Sequence, residues 1–201
     1  LAEDALSLPV RTGKARVIGI EPASLVTKSL VREVKTDDAG CFQSALNPGL
    51  TKIAVIERHK RTGKLGIGIL EGYGLTGGAI ATTISHDSHN IVVAGDNDPD
   101  MLLAVRELAD MGGGIVSVHG GSIRRLPLPI AGLMTSADPQ EVNAVLHDML
   151  VAARAELGIP EDVEPFMTLS FMALPVIPEL KLTARGLFNV NTFSFVGVEA
   201  D

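Results

Sequence analysis

The segments Ala79-Ile-Ala-Thr-Thr-Ile84 and Ile91-Val-Val-Ala-Gly95 enclose the polar hexapeptide Ser85-His-Asp-Ser-His-Asn90. Both flanking segments are short, apolar and rich in β-branched residues, which predicts two buried strands. A five- or six-residue connection that contains Asp, Ser and Asn is typical of an antiparallel hairpin. We therefore expect residues 85–90, named the histidine loop below, to be held at the end of a rigid sheet, where functional side chains are often found.

The rest of the chain alternates pairs of strand-like segments with two helices. The first helix is expected to begin at Asp98-Pro99 and the second at Asp138-Pro139, because Asp caps free N–H groups and Pro fits the first helical position. Helices that lie between pairs of strands favour an α+β fold, with a mostly antiparallel or mixed β-sheet flanked by helices and no TIM barrel within this chain. The other strands are predicted at residues 15–20, 25–34, 52–57, 65–70, 115–118, 122–126 and 193–198.

The second helix has a broad apolar face. Its apolar residues recur at spacings of three and four, which predicts one buried stripe. Gly158 and then Pro160 are expected to end the helix. The residues of this face are Val142, Val145, Leu146, Met149, Leu150, Ala153 and Leu157.

The segment of residues 36–50 is rich in Asp, Gly, Asn and Pro and is expected to form a loop. It marks the expected boundary between two parts of the chain. Residues 1–50 would form an N-terminal extension with connecting strands and a loop, and residues 51–201 the main α+β domain. The chain begins with Leu1 instead of Met, so we allow for a segment before it.

Composition argues against several functional classes. The formal net charge of −7 opposes non-specific binding to nucleic acid, and no basic cluster is interleaved with aromatic residues. Cys41 is the single cysteine, which rules out an intrachain disulfide and fits a reducing compartment. No apolar segment approaches the ~20 residues that span a bilayer. We therefore expect a cytoplasmic protein that binds neither nucleic acid nor membrane.

The histidine loop allows a functional and a structural interpretation. His86 and His89 could transfer protons, bind substrate or supply one or two metal ligands, and Asp87 could orient either imidazole. Alternatively, the loop is a polar turn whose side chains cap backbone groups. Residue spacing leaves both interpretations open.

Other polar residues favour structural roles. The segment Gly72-Tyr-Gly-Leu-Thr-Gly77 matches a dinucleotide-binding pattern, but a strand-like segment follows it, which indicates a turn between strands. His59 is expected to be solvated in a basic turn. Glu179 and Lys181 are expected to form a surface ion pair. The chain contains no self-sufficient catalytic motif.

Several segments together resemble one family, the bacterial adenine deaminases of the amidohydrolase superfamily. The resemblance is to the C-terminal part of these enzymes and runs from about residue 15 to the end. The segments are Ile53-Ala-Val-Ile-Glu-Arg-His59, Ala81-Thr-Thr-Ile-Ser-His-Asp-Ser-His-Asn90, Gly112-Gly-Gly114, Leu126-Pro-Leu-Pro-Ile-Ala-Gly-Leu133, Phe166-Met-Thr-Leu-Ser-Phe171, Leu174-Pro-Val-Ile-Pro-Glu-Leu-Lys181 and Arg185-Gly-Leu187.

The resemblance implies hydrolysis of adenine to hypoxanthine and ammonia. In the family, a (β/α)₈ barrel carries a two-metal centre of manganese or iron that activates water. The ligands of those metals, including a His-x-His motif, belong to the barrel and are not present in this sequence. The resemblance therefore implies that this chain is the C-terminal domain. Its partners would be adenine and the barrel domain of the same protein, in a homo-oligomer, and no metal is expected in this chain alone.

The resemblance also gives the histidine loop an expected role at the mouth of the barrel. His86, Asp87 and His89 would be catalytic residues, and Ser85, Ser88 and Asn90 would contact the substrate. The alternative is a non-catalytic module that binds purine or serves structure or dimerisation. In either case, we expect the isolated chain to be inactive as a deaminase.

Overall fold

The computed structural model describes residues 1–200 and contains, within that range, three α-helices and eleven strands. The helices are α1 (Asp98–Asp110), α2 (Pro139–Ala155) and α3 (Pro165–Phe171), and a short 3₁₀ helix spans Ser44–Leu46. The strands are β1 (Lys14–Ile20), β2 (Thr27–Glu33), β3 (Leu50–Ile56), β4 (Leu65–Glu71), β5 (Gly78–Thr82), β6 (Ile91–Gly95), β7 (Gly114–His119), β8 (Ser122–Pro127), β9 (Leu180–Thr183), β10 (Gly186–Asn189) and β11 (Ser194–Phe195).

Eight strands form one mixed sheet in the order β2-β1-β4-β3-β6-β5-β7-β8. Its neighbouring strands are antiparallel except for β1 and β4, which are parallel. Strands β9, β10 and β11 form a second, antiparallel sheet. This architecture confirms the predicted α+β class, and the pairing of β5 with β6 confirms the hairpin around the histidine loop.

The central strands β3, β5, β6 and β7 of the large sheet are buried on both faces, whereas the edge strand β2 is largely exposed. Successive side chains of a strand point to opposite sides. In β3, Ile53 and Val55 face the core that α2, α3 and the small sheet cover, whereas Ala54 and Ile56 face the core under α1. The small sheet lies close against β4 at Gly66, where a Cβ atom would collide with the carbonyl oxygen of Thr183. The end of β5, and with it the histidine loop, is therefore anchored in a sheet that is packed on two sides.

The helix starts are close to those predicted, with one correction. Asp138 caps α2 as expected, and its carboxylate accepts a hydrogen bond from the Gln140 amide at 2.8 Å. In α1, however, the capping residue is Asn97, whose side-chain oxygen accepts from the Asp100 amide at 2.9 Å. Asp98 lies inside the first turn, where it pairs with the buried Lys52 at 2.6 Å.

Three other expectations need correction. The strand predicted over residues 79–84 ends at Thr82, whose hydroxyl accepts from the Ile84 amide at 3.0 Å and so bends the chain. The last strand shrinks to Ser194–Phe195. Lys181 and Glu179 form no surface ion pair: Lys181 is fully buried in β9, and the Glu179 carboxylate accepts from the Ser29 amide at 2.9 Å.

The first 50 residues contribute β1 and β2 to the large sheet, and Val10, Val17 and Phe42 share one apolar cluster with Ile69 of β4. A division of the chain near residue 50 stays a prediction. Within residues 1–200, none of the helices is long and apolar enough to cross a membrane.

Candidate functional site

The histidine loop joins β5 to β6 and presents its residues at different depths. Ser85 and Asn90 are buried at its two ends, and Asp87 and Ser88 are exposed at its tip. His86 and His89 are half-buried between them. The amide of His86 donates to the Ser170 carbonyl in α3 at 3.0 Å, so the loop is attached to the helix beside it.

Two residues that follow β3 hold the backbone of this loop. Arg58 donates through Nε to the His89 carbonyl and through Nη2 to the Ala131 carbonyl, each at 2.6 Å. His59 Nε2 lies 2.8 Å from the Ser88 carbonyl oxygen. The sequence predicted a solvated His59 and gave no sign of its contact with the Ser88 carbonyl. The antiparallel pairing of β3 with β6 brings Arg58 here, because the end of β3 lies beside the start of β6.

The loop separates two cavities, and its side chains do not converge on one point. His86 lines an apolar cleft of about 460 Å³ between α2 and α3, where its ring lies 4.5 Å from the Phe171 ring. Asp87, Ser88 and Asn90 line a second groove of about 770 Å³. The His86 and His89 ring centroids are 6.0 Å apart. The structure thus places His86 and His89 near each other between the cavities, with Asp87, Ser88 and Asn90 on the side of the second groove. Ser85 is buried at the start of the loop and lines neither cavity.

The second groove is bounded by the small sheet and an aromatic cluster. Phe188 of β10 packs edge-to-face against Phe193 and Phe195, with ring centroids 5.3 and 5.2 Å away. The Arg185 guanidinium lies 4.6 Å from the centre of the Phe195 ring, a cation–π distance. Asp87 and Ser88 face this wall across the groove, so the groove combines aromatic surface with exposed polar groups.

Three buried polar atoms of the histidine loop have no hydrogen-bond partner. They are Ser85 Oγ, His89 Nδ1 and Asn90 Oδ1. Buried polar side-chain atoms in folded proteins are normally paired, since an unpaired one costs about 1–3 kcal/mol. Among the described residues, the only other buried polar side-chain atom without a hydrogen-bond partner is Ser117 Oγ. The loop therefore concentrates hydrogen-bonding capacity that the described residues leave unused.

The charge of His89 depends on its surroundings. Burial lowers the pKa of its imidazole, and the positive charges that His86 and Arg58 can carry lower it further. The ring is therefore neutral near neutral pH, and one of its nitrogens can accept a proton or a hydrogen bond. The adjoining turn is fixed by Glu57, whose pKa falls to about 2 because backbone amides of Thr62, Lys60 and His59 donate to its carboxylate.

The residues of the loop do not fit a two-metal centre. Within residues 1–200, His, Cys, Asp and Glu side chains nowhere gather in threes as a possible metal site. Catalytic zinc centres, for example, are held by three protein ligands and a water molecule. His86 and His89 alone could contribute to such a centre only if other ligands came from outside the described chain.

Comparison with known proteins gives the family of this chain. The family model described as "Adenine deaminase C-terminal domain" matches residues 24–194. The chain belongs to this family. The match contains the histidine loop, both residues that hold it, and the lining of both cavities except Phe195.

Curated relatives named adenine deaminase match nearly the whole chain. The protein from Nitratidesulfovibrio vulgaris strain Hildenborough is 59% identical over 199 residues, which are 98% of this chain and 34% of that protein. The "Adenine deaminase 2" of Carboxydothermus hydrogenoformans is 48% identical over 97% of this chain and 34% of its own length. The adenine deaminase of Bacillus licheniformis is 44% identical over 99% of this chain and 35% of its own length. The chain thus spans about a third of these relatives.

Sequence reasoning found the loop but missed two of its neighbours. Arg58 carries no signal by itself, because it stands in a basic turn beside His59 and Lys60. Its role depends on the pairing of β3 with β6. The contact of His86 with Phe171 depends on the position of α3, a segment that the sequence showed only as an apolar run.

Proposed function

We propose that this chain is the C-terminal part of an adenine deaminase that hydrolyses adenine to hypoxanthine and ammonia in the cytoplasm. Its histidine loop would contact the purine at a reaction centre carried by the preceding part of the same polypeptide. The observation that supports this role is the group of three buried, unpartnered polar atoms in the loop of a chain from this family. A purine offers ring nitrogens and an amino group that such atoms can bind.

The proposed reaction exchanges the 6-amino group of adenine for the oxygen of one water molecule and releases ammonia. A proton must therefore move from the attacking water to the departing nitrogen. His89 would carry it, because burial lowers the pKa of its imidazole and leaves one ring nitrogen free of a proton near neutral pH. Asp87 would orient an imidazole, and Ser85, Ser88 and Asn90 would bind the purine.

The metal centre of the reaction, with manganese or iron, would lie in the preceding part of the protein. The described residues of this chain do not form it, so the contribution of this chain is to bind, orient and exchange protons. The protein would work as a homo-oligomer. The competing interpretation is a purely structural or dimerising role. The two open cavities beside the loop are compatible with that role as well.

Steady-state kinetics of the full-length protein with adenine test the proposal. His89→Asn keeps a polar side chain but cannot carry a proton, and we expect it to lower kcat about 100-fold, the size of a typical proton-transfer contribution. His86→Ala should lower kcat or raise KM. His147→Ala, on the exposed side of α2, is the control and should change neither.

The competing interpretation predicts a different pattern. If the loop serves only structure or dimerisation, the loop variants would change the melting temperature or the oligomer mass and leave kcat and KM unchanged. That result would overturn the proposed role of the loop.

A further inference from the structure

The apolar cleft beside the histidine loop is a second feature of the same surface, and apart from His86 its lining has no role in the proposed chemistry. It has a volume of about 460 Å³ and opens between α2 and α3 above the end of β5. An engineered cavity of about 150 Å³ holds one benzene ring, so this cleft has room for several apolar side chains. Its apolar lining consists of Ile84, Ile115, Leu146, Phe166, Met167 and Phe171.

The helices that form the cleft leave apolar side chains uncovered. Of the stripe predicted to be buried in α2, Met149 is fully buried, but Leu146, which lines the cleft, is only half-buried. Val145, which lies outside the cleft, remains 38% exposed. On α3, Met167 is 57% exposed. A helix normally buries its apolar stripe against another element. The structure therefore lacks a covering element over the cleft end of these helices.

Three of the four polar side chains at the cleft hydrogen-bond to neighbouring backbone groups. The Ser170 hydroxyl donates to the Met167 carbonyl at 2.8 Å, and the Glu164 carboxylate accepts from the Met167 amide. The Thr82 hydroxyl accepts from the Ile84 amide at 3.0 Å. Small-molecule sites combine an apolar wall with free polar groups that fix orientation. These bonds use part of the capacity of the three side chains, and six of the ten residues that line the cleft are apolar, so the cleft favours an apolar occupant.

We propose that an apolar segment of the same polypeptide, from the part that precedes this C-terminal domain, inserts side chains into the cleft. This inference rests on the proposed function, in which that part lies against the histidine loop. Two observations point to this occupant. The chain covers about a third of its relatives, so in the proposed longer protein most of the polypeptide would lie outside it. His86 lines the cleft and belongs to the loop, so both features share one surface.

Photochemical cross-linking in the full-length protein tests the proposal. The photoreactive residue p-benzoylphenylalanine would replace Met167 at the cleft. In a second protein it would replace Leu46, which is 42% exposed and does not line the cleft, as the control. Circular dichroism and thermal melting would establish that both variants are folded. Mass spectrometry would identify the cross-linked peptides, and a denaturing gel would separate products within one chain from products between chains.

We expect the probe at position 167 to react with the preceding part of its own chain, giving a product of monomer mass. Because such a probe reacts with the groups it touches, the yield at position 46 should be about ten-fold lower. A product of twice the monomer mass would show a second copy in the cleft and would overturn the proposal. Absence of product, or equal yields at both positions, would also overturn it.

These outcomes are separate from the test of the proposed function. Cross-linking reports contact and does not depend on turnover. A cross-link within the chain, together with loop variants of normal kinetics, would retain the docking surface and reject the chemistry. Loss of kcat in the loop variants without a cross-link would support the proposed chemistry and reject the docking surface.

Discussion

Lys181 is a charged residue in an unexpected place, inside the small sheet. Its side chain is fully buried, and Nζ donates to the Leu25 carbonyl at 2.8 Å. Burial lowers the pKa of the ammonium to about 8. The folded state therefore releases the proton more readily than the unfolded chain, for which 10.5 is the ordinary value. Stability should rise as the pH increases from about 8 to about 10.5.

Lys181→Met should remove this penalty, because methionine fills a similar volume without a charge. We expect the free energy of unfolding at about pH 7 to increase by roughly 1–3 kcal/mol. The gain in stability that the original protein shows at high pH should disappear in the variant. Denaturant titrations at about pH 7 and pH 9.5 measure both effects.

Lys28→Met is the matched control for this prediction. Lys28 lies on the surface, where it pairs with Glu21, and such pairs contribute about 0–1 kcal/mol. A destabilised Lys181→Met protein with an unchanged pH profile would show that the buried ammonium is not the source of the effect.

The sequence around Lys181 could not reveal this burial. Leu180, Lys181 and Leu182 alternate as in a strand with one solvated face, and a surface position was the natural expectation. The partner of Lys181 is Leu25, 156 residues away in the chain. Only the tertiary arrangement of β9 beside the start of β2 brings the two together.

At the scale of elements, the β5–β6 hairpin depends on a neighbouring turn. Arg58 joins the histidine loop to the turn at Ala131 through two bonds from one guanidinium group. Hydrogen bonds that involve a charged group are worth about 1.5–3 kcal/mol each. The loop should therefore lose much of its order when Arg58 is removed.

Arg58→Ala is expected to destabilise the fold by roughly 2–4 kcal/mol, whereas Arg58→Lys should recover only part of the loss. Lysine has no fork of donors that reaches two carbonyl groups at once. Thermal melting measures the difference. Arg32→Ala is the control, because Arg32 makes two hydrogen bonds to the side chain of Glu71 in an exposed pair, and should cost less than about 1 kcal/mol. Equal losses for Arg58→Ala and Arg32→Ala would contradict a special role for Arg58.

The elements differ in how far they could be predicted. The β5–β6 hairpin, α1 and α2 follow from local apolar periodicity and capping residues, so sequence patterns predict them well. The parallel pairing of β1 with β4 does not follow, because it joins segments far apart in the chain. The small sheet is local, but its strands of two to four residues are too short to show a clear alternation of apolar and polar residues. The site shows the same division: the histidine loop was predictable, and its contacts with Arg58 and Phe171 were not.

At the scale of the whole molecule, the chain carries a polar loop and two cavities, and its described residues form no metal centre. The purified 201-residue chain should therefore release no ammonia from adenine, even with added Mn²⁺. The full-length protein assayed under the same conditions is the control and should be active. Ammonia release by the chain alone would show that it holds a complete catalytic site.

The central claim is that the histidine loop contacts the purine within a longer adenine deaminase. Hydrogen exchange of the full-length protein, with and without saturating hypoxanthine, measures this contact most directly. The account predicts slower exchange in the peptide that contains residues 85–90 and no change at β2 on the far edge of the sheet. Unchanged exchange in residues 85–90, in a protein that hydrolyses adenine and is saturated with product, would contradict the account.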